Sequence, residues 1–139
     1  MTTATSEDLS KRPAAAAARG LAGVLVVDDD ESFRILARKL LETAGYNVTE
    51  AENVAQCRAR LRSGAFDAVI LDVVMPQQDG IEALRELKAS FPEIKIVTVS
   101  GADSCDLYLT VSSYLGADAS LSKSRIESLC ALLGVILGG

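Results

Sequence analysis

The sequence contains no histidine. Ser-His and Cys-His nucleophile pairs are thereby excluded, along with the commonest zinc ligand, so any chemistry must run on carboxylates, hydroxyls, lysine or backbone. Cysteine is scarce: Cys57, Cys105 and Cys130 are odd in number and widely spaced. They read as free thiols in a reducing compartment rather than as a disulfide frame or a metal site. Dense Lys/Arg patches are missing and the formal charge is −5, which speaks against a nucleic-acid partner held through its phosphates. No apolar run is long enough to span a bilayer. A secretory leader is not expected either, because Arg19 and Gly20 interrupt the alanines after Lys11-Arg12-Pro13 and three aspartates soon follow. These absences together predict a cytoplasmic protein with neither a nucleic-acid nor a membrane partner.

What is present suits one ordinary domain, with 139 residues of which 49% are apolar. Residues 1–20 are rich in Thr, Ser and Ala without apolar periodicity and read as a mobile tail, leaving 21–138 as the domain. From Leu21 onward, short apolar runs alternate with helical periodicity. The run Gly23–Val27 reads as a strand that stops at Asp28, and the helix after it carries Phe33, Leu36, Leu40, Leu41 and Ala44 on one face before Gly45. Asn47–Ala51 is a second strand, and Asn53 caps a helix presenting Val54, Cys57 and Leu61. Asp67–Leu71 is a third strand, stopping at Asp72, followed by a helix with Ile81, Leu84 and Leu87. Ile94–Val99 stops at Ser100. A helix from about Ser104 to Leu115 leads to the strand Ala119–Ser122, which stops at Lys123 before a last helix running to about Leu137. Five strands alternating with five helices predict a doubly wound α/β fold, a five-stranded parallel sheet covered on both faces.

In such sheets the binding crevice lies outside the carboxyl ends of the strands. Asp28, Asp29, Asp30, Asp72, Ser100 and Lys123 all sit there. Asp30 is in place to cap the first helix. The remaining carboxylates would repel one another unless a cation lay between them, and Mg²⁺ needs only a few protein oxygens. A carboxylate free to attack, beside a metal, a lysine and a hydroxyl, suits an incoming phosphoryl group.

The segments Val24-Leu-Val-Val-Asp-Asp-Asp30 and Leu71-Asp-Val-Val-Met-Pro-Gln-Gln-Asp-Gly80, with Ser100-Gly-Ala102 and Lys123, resemble the receiver domains of bacterial two-component response regulators. The resemblance covers about Leu21 to Leu137 and implies a flavodoxin-like sheet of order 2-1-3-4-5. It implies Asp72 as phosphoacceptor, assisted by Lys123 and Ser100. It also implies Mg²⁺ held by Asp28, Asp29, Asp72 and the backbone carbonyl of Val74. The phosphodonor it implies is a phosphohistidine on a sensor histidine kinase or a phosphotransfer protein, which supplies the histidine missing here. The signal would pass on by protein–protein docking or by phosphorelay, with no catalytic turnover beyond the chain's own phosphorylation and dephosphorylation.

Two positions depart from the family pattern. Ser124 follows the lysine where relatives usually have proline after a cis bond, so either a trans bond re-aims Lys123 or strain stays at the site. Ser120 stands where most relatives place the Tyr or Phe that swings inward on phosphorylation. Tyr108 and Tyr114 are alternatives for that ring, or simply pack on their helix. Val74 and Ala102 offer no side chain to position an attacking water, so the phosphorylated form should hydrolyse no faster than that of typical relatives. The last helix carries one charge, Glu127, and apolar residues on more than one face. It reads either as a homodimer surface or as a helix merely poor in charge. Against the receiver reading stands a degenerate receiver that binds partners without phosphorylation. An aspartyl-phosphate phosphatase lacks its second acid at Val74, and a nucleotide-binding module lacks its Gly-rich loop.

Overall fold

A computed structural model describes residues 22–75, 78–101 and 105–138, with the side chains of residues 75, 78, 79 and 105–109 left aside. The expected tail, Ala102, and the side chains of Cys105 and Tyr108 lie outside the described residues.

The strands form where the apolar runs lie. Strands β1 (Gly23–Val27), β2 (Asn47–Ala51), β3 (Ala68–Asp72), β6 (Lys95–Ser100) and β7 (Ala119–Ser122) make one sheet in the order β2-β1-β3-β6-β7. Every pairing in it is parallel, with Val27 opposite Leu71 and Asp72 opposite Val99. Counting the five sheet strands alone, the order is 2-1-3-4-5, as expected for the flavodoxin-like fold. A short antiparallel pair, β4 (Val74–Met75) and β5 (Gln78–Asp79), follows β3 and was not legible in the pattern.

Five α-helices cover the two faces: α1 (Glu31–Thr43), α2 (Val54–Ser63), α3 (Gly80–Ser90), α4 (Cys105–Tyr114) and α5 (Leu129–Gly138). Strand alternation divides the core between them. Val24, Val26, Ile70, Val97 and Val99 face Phe33, Ala37 and Leu41 of α1 and Leu129 and Leu133 of α5. Leu25, Val27, Val69, Leu71 and Ile96 face Val54, Cys57 and Leu61 of α2 and Ala83, Leu84 and Leu87 of α3.

The helix ends follow the sequence signals. Asp30 caps α1 by accepting from Ser32 N at 3.0 Å. Asn53 accepts from Gln56 N while Gln56 Oε1 accepts from Glu52 N, both at 2.8 Å, which satisfies one orphan donor of α2 and one on the chain just before its cap. Gly45, at φ 100°, supplies the left-handed turn after α1 that a side chain would disfavour.

Two details differ from the periodicity. The inward face of α1 is Phe33, Arg34, Ala37 and Leu41, while Ile35 and Leu36 are exposed. The helix is rotated toward a buried arginine, whose hydrogen bonds offset its burial. The last helix also starts later than expected, because Lys123–Ser128 forms a 3₁₀ turn broken at Arg125 (φ −114°, ψ 33°). Most apolar residues of this last segment are spent on the core: Leu129 and Leu133 are fully buried, and Ile126, Cys130, Leu132, Ile136 and Leu137 pack against them. Those five residues are only partly buried, and Val135 is left exposed. No helix among the described residues is long and apolar enough to cross a membrane.

Candidate functional site

The four strands that end in polar residues deliver them to one edge of the sheet. Carboxylate oxygens of Asp28, Asp29 and Asp72 lie within 4.8 Å of one another, with Asp28 and Asp72 buried and Asp29 exposed. Lys123 Nζ reaches in from the end of β7, 2.7 Å from Asp28 Oδ2 and 3.2 Å from Asp72 Oδ2. The same ammonium stands 4.7 Å from the centre of the Phe33 ring, close enough for a cation–π contact. Ser100 is fully buried at the end of β6. Val74 lies just beyond, donating its N–H to Asp72 Oδ1 at 2.9 Å.

Local backbone geometry holds these groups. Asp28 N donates to Ala51 O at 3.1 Å, and Asp28 Oδ1 accepts from Asp30 N at 2.9 Å. Val73 N donates to Val99 O, tying the chain after Asp72 to β6. Gly80 has no room for a side chain, since a Cβ there would collide with the backbone of Val73. The Asp-Gly pair at the start of α3 therefore lets the helix approach the residue next to Asp72.

The Lys123–Ser124 peptide is trans. The amide N–H that proline would lack donates to Ser122 Oγ at 3.3 Å, and the two serine hydroxyls meet at 2.9 Å. The serine thus builds its own turn, and Lys123 still reaches both aspartates.

Burial is the main cause that pushes the Asp28 carboxyl from 3.8 up to about 6, and the nearby Asp72 charge adds to it. The Lys123 ammonium and the Asp30 N–H oppose that rise. Burial likewise works against the charge on Lys123, but its ion pairs with Asp28 and Asp72 outweigh it and raise the lysine above its ordinary value. Three carboxylates against one ammonium leave two negative charges in excess. Asp28 Oδ2 is buried and has no hydrogen bond of good geometry among the described residues, although Lys123 pairs with it at 2.7 Å. Charges at this distance attract whatever the angle. An all-oxygen donor set with this excess negative charge fits a small divalent cation.

The structure thus brings together Asp28, Asp29, Asp72, Ser100, Lys123 and the backbone at Val74, the residues expected from the sequence. It adds two that sequence reasoning missed. One is Phe33, under the lysine. The other is Arg34, whose Nη1 donates to the Asp28 carbonyl at 2.7 Å while its Nε donates to Glu50 Oε1 at 2.9 Å. Arg38 Nη1 completes the cluster at 2.7 Å from Glu50 Oε2. Charged residues on an amphipathic helix normally face water, so no sequence signal marked Arg34 as buried. Of the tyrosines considered as switches, Tyr114 is almost wholly exposed.

The comparisons agree with this arrangement. Residues 24–133 match the family model described as the response regulator receiver domain. The response regulator receiver protein CpdR of Brucella abortus is 38% identical over 56% of this chain, a match that covers 65% of CpdR, so the chain spans less than two thirds of that relative's length. A CheY-like response regulator receiver domain protein of Methanospirillum hungatei superposes with a TM-score of 0.77 at 27% identity, covering 85% of this chain and 94% of that one. The response regulator TrrA of Thermotoga maritima, solved in complex with Mg²⁺ and BeF, gives 0.72 at 30% identity, covering 84% of this chain and 98% of that one. With a five-stranded sheet of matching order and an acidic cluster at its carboxyl edge, the chain belongs to the response regulator receiver domain family, the signalling domain of two-component systems.

Proposed function

We propose that Asp72 is the phosphoacceptor of this response regulator receiver domain. A carboxylate oxygen of Asp72 attacks the phosphorus of a phosphohistidine on a sensor histidine kinase or histidine phosphotransfer protein. The P–N bond breaks, the electron pair leaves with the imidazole, which picks up a proton, and an acyl phosphate remains on Asp72. Asp28, Asp29, Asp72 and the carbonyl of Val74 would hold Mg²⁺, which when bound would neutralise charge on the phosphoryl oxygens. Lys123 contributes a second positive charge, and Ser100 would supply a hydroxyl to hydrogen-bond the transferred group. Signalling then proceeds by docking or phosphorelay in the cytoplasm.

The observation that carries this reading is the meeting of three carboxylates with Lys123 at the strand ends. Its test is intact-protein mass after acetyl phosphate or phosphoramidate treatment, with and without Mg²⁺, beside Asp72→Ala. A single phosphoryl addition that needs both Mg²⁺ and Asp72 is expected. No addition while Mg²⁺ still binds would favour a receiver fold that binds partners without phosphorylation.

A further inference from the structure

Lys123 carries its ammonium on a flexible four-carbon stem, and the structure shows what that stem meets. Its backbone is held by the turn in which Ser124 N donates to Ser122 Oγ at 3.3 Å. The stem then passes Gly101, where an added Cβ would stand 3.2 Å from Lys123 Cδ and 3.7 Å from its Cγ. At the end of the stem the ammonium lies 2.7 Å from Asp28 Oδ2, 3.2 Å from Asp72 Oδ2 and 4.7 Å from the centre of the Phe33 ring.

These three neighbours differ in what else is asked of them. Asp72 is the group that would attack phosphorus, and Asp28 is one of those that would hold Mg²⁺. Both carboxylates are thus claimed by other partners during transfer, and their hold on the lysine weakens when the lysine is needed. The Phe33 ring is claimed by nothing. Its negative face attracts a cation, and that attraction grows where water is excluded. Its own position is fixed from several sides. The residue is 7% exposed and belongs to the apolar core between α1 and the sheet. Asp30 caps the turn that carries it, and the next residue, Arg34, donates to the Asp28 carbonyl at 2.7 Å.

We propose that Phe33 is a positioning residue for Lys123, the support that keeps the ammonium beside Asp72 while the two carboxylates are engaged. The placing of the ammonium is a property of the fold, whereas its effect on rate rests on Asp72 as phosphoacceptor. A plain core role predicts something different: loss of the ring would loosen α1 and harm the acidic cluster and the lysine alike.

The test uses the full chain as wild type, as Phe33→Leu, which stays apolar without a ring, and as Phe33→Tyr, which keeps the ring. Wild type and Phe33→Leu are also combined with Lys123→Ala. The first readout is the NMR shift of the Lys123 ε-methylene protons, assigned with Lys123→Arg and taken without metal and at Mg²⁺ saturation. A ring beneath the ammonium moves these protons upfield. That displacement is expected in wild type and Phe33→Tyr under both conditions, and it is expected to vanish in Phe33→Leu. The second readout is the rate of phosphodonor labelling by intact mass, beside a Mg²⁺ titration. Phe33→Leu is expected to label about fivefold more slowly while binding Mg²⁺ at least as tightly, and Phe33→Tyr to stay within about twofold of wild type. In the Lys123→Ala background, Phe33→Leu is expected to slow labelling no further.

An ordinary ε-methylene shift in wild type, or one that loses its displacement when Mg²⁺ binds, would overturn the placing. The wild-type shift decides this even if Phe33→Leu fails to fold. Equal slowing by Phe33→Leu with and without Lys123, or Mg²⁺ binding weakened in step with labelling, would leave Phe33 a core residue only. Absence of labelling in wild type that binds Mg²⁺ would count against Asp72 as acceptor, and the shift would still decide the placing.

Discussion

Replacing Arg34 with methionine tests whether the acidic cluster is supported from beneath. The guanidinium is buried and gives one charge-assisted bond to the Asp28 carbonyl and one to Glu50. A hydrogen bond to a charged group contributes about 1.5–3 kcal/mol net. Removing one partner of a fully buried ion pair costs about 3–5 kcal/mol. The Arg34 case falls short of that upper range, because Glu50 is partly exposed and keeps Arg38 at 2.7 Å. Methionine also refills most of the volume. The expected loss is therefore about 2–3 kcal/mol, read from urea unfolding as a lower midpoint with an unchanged slope. Asp28 loses the anchor on its carbonyl, so Mg²⁺ affinity measured by titration should fall about tenfold, as for other groups that orient a metal ligand. Stability within about 0.5 kcal/mol of wild type, with unchanged Mg²⁺ affinity, would refute this role for Arg34.

Other substitutions probe separate parts of the molecule. Lys123→Ala should slow phosphodonor labelling by about 10²-fold while Mg²⁺ binds at least as tightly, since the site gains negative charge; labelling rate and Mg²⁺ titration separate the two effects. Gly80→Ala should destabilise the fold by about 1–3 kcal/mol in thermal or urea unfolding, because the Cβ meets the Val73 backbone. Burial alone would raise the Glu50 carboxyl, but hydrogen bonds from Arg38 and Arg34 outweigh it and hold the group below its ordinary 4.5. The folded-state value is depressed, so the stabilisation is present above 4.5 and is lost as pH falls through the folded value. Glu50→Gln should accordingly be less stable than wild type at neutral pH, and the gap should close on acidification below that range in urea unfolding. Leu133→Ala, at a fully buried α5 position, should cost about 2–5 kcal/mol by the same assay.

The sheet was legible because a buried parallel strand is a short apolar run, and each run here stops at a residue too polar to continue it. Asp28, Asp72, Ser100 and Lys123 were legible for the same reason, since the stopping residue of a strand is also the one delivered to the crevice. The rest depended on contacts that no local pattern encodes. Arg34 is buried because the Asp28 carbonyl and Glu50 accept from it, and those partners come from two other elements. The hydroxyls of Thr98, Ser112 and Ser120 meet within 3.1 Å of one another but come from three elements, so each serine or threonine alone looks like an ordinary surface residue. Ser124 was read as a departure that could re-aim Lys123. The Ser122 hydroxyl takes up its amide, and the following 3₁₀ turn postpones α5 to Leu129.

The most direct measurement is the site of the phosphoryl group itself. Phosphodonor-treated protein is reduced with borohydride, which converts an aspartyl phosphate to homoserine, and its peptides are sequenced by mass spectrometry. Phosphorylation at Asp72 predicts homoserine at position 72 alone, and only when Mg²⁺ was present. Homoserine at Asp28 or Asp29, or at no aspartate while Mg²⁺ binds, would contradict it.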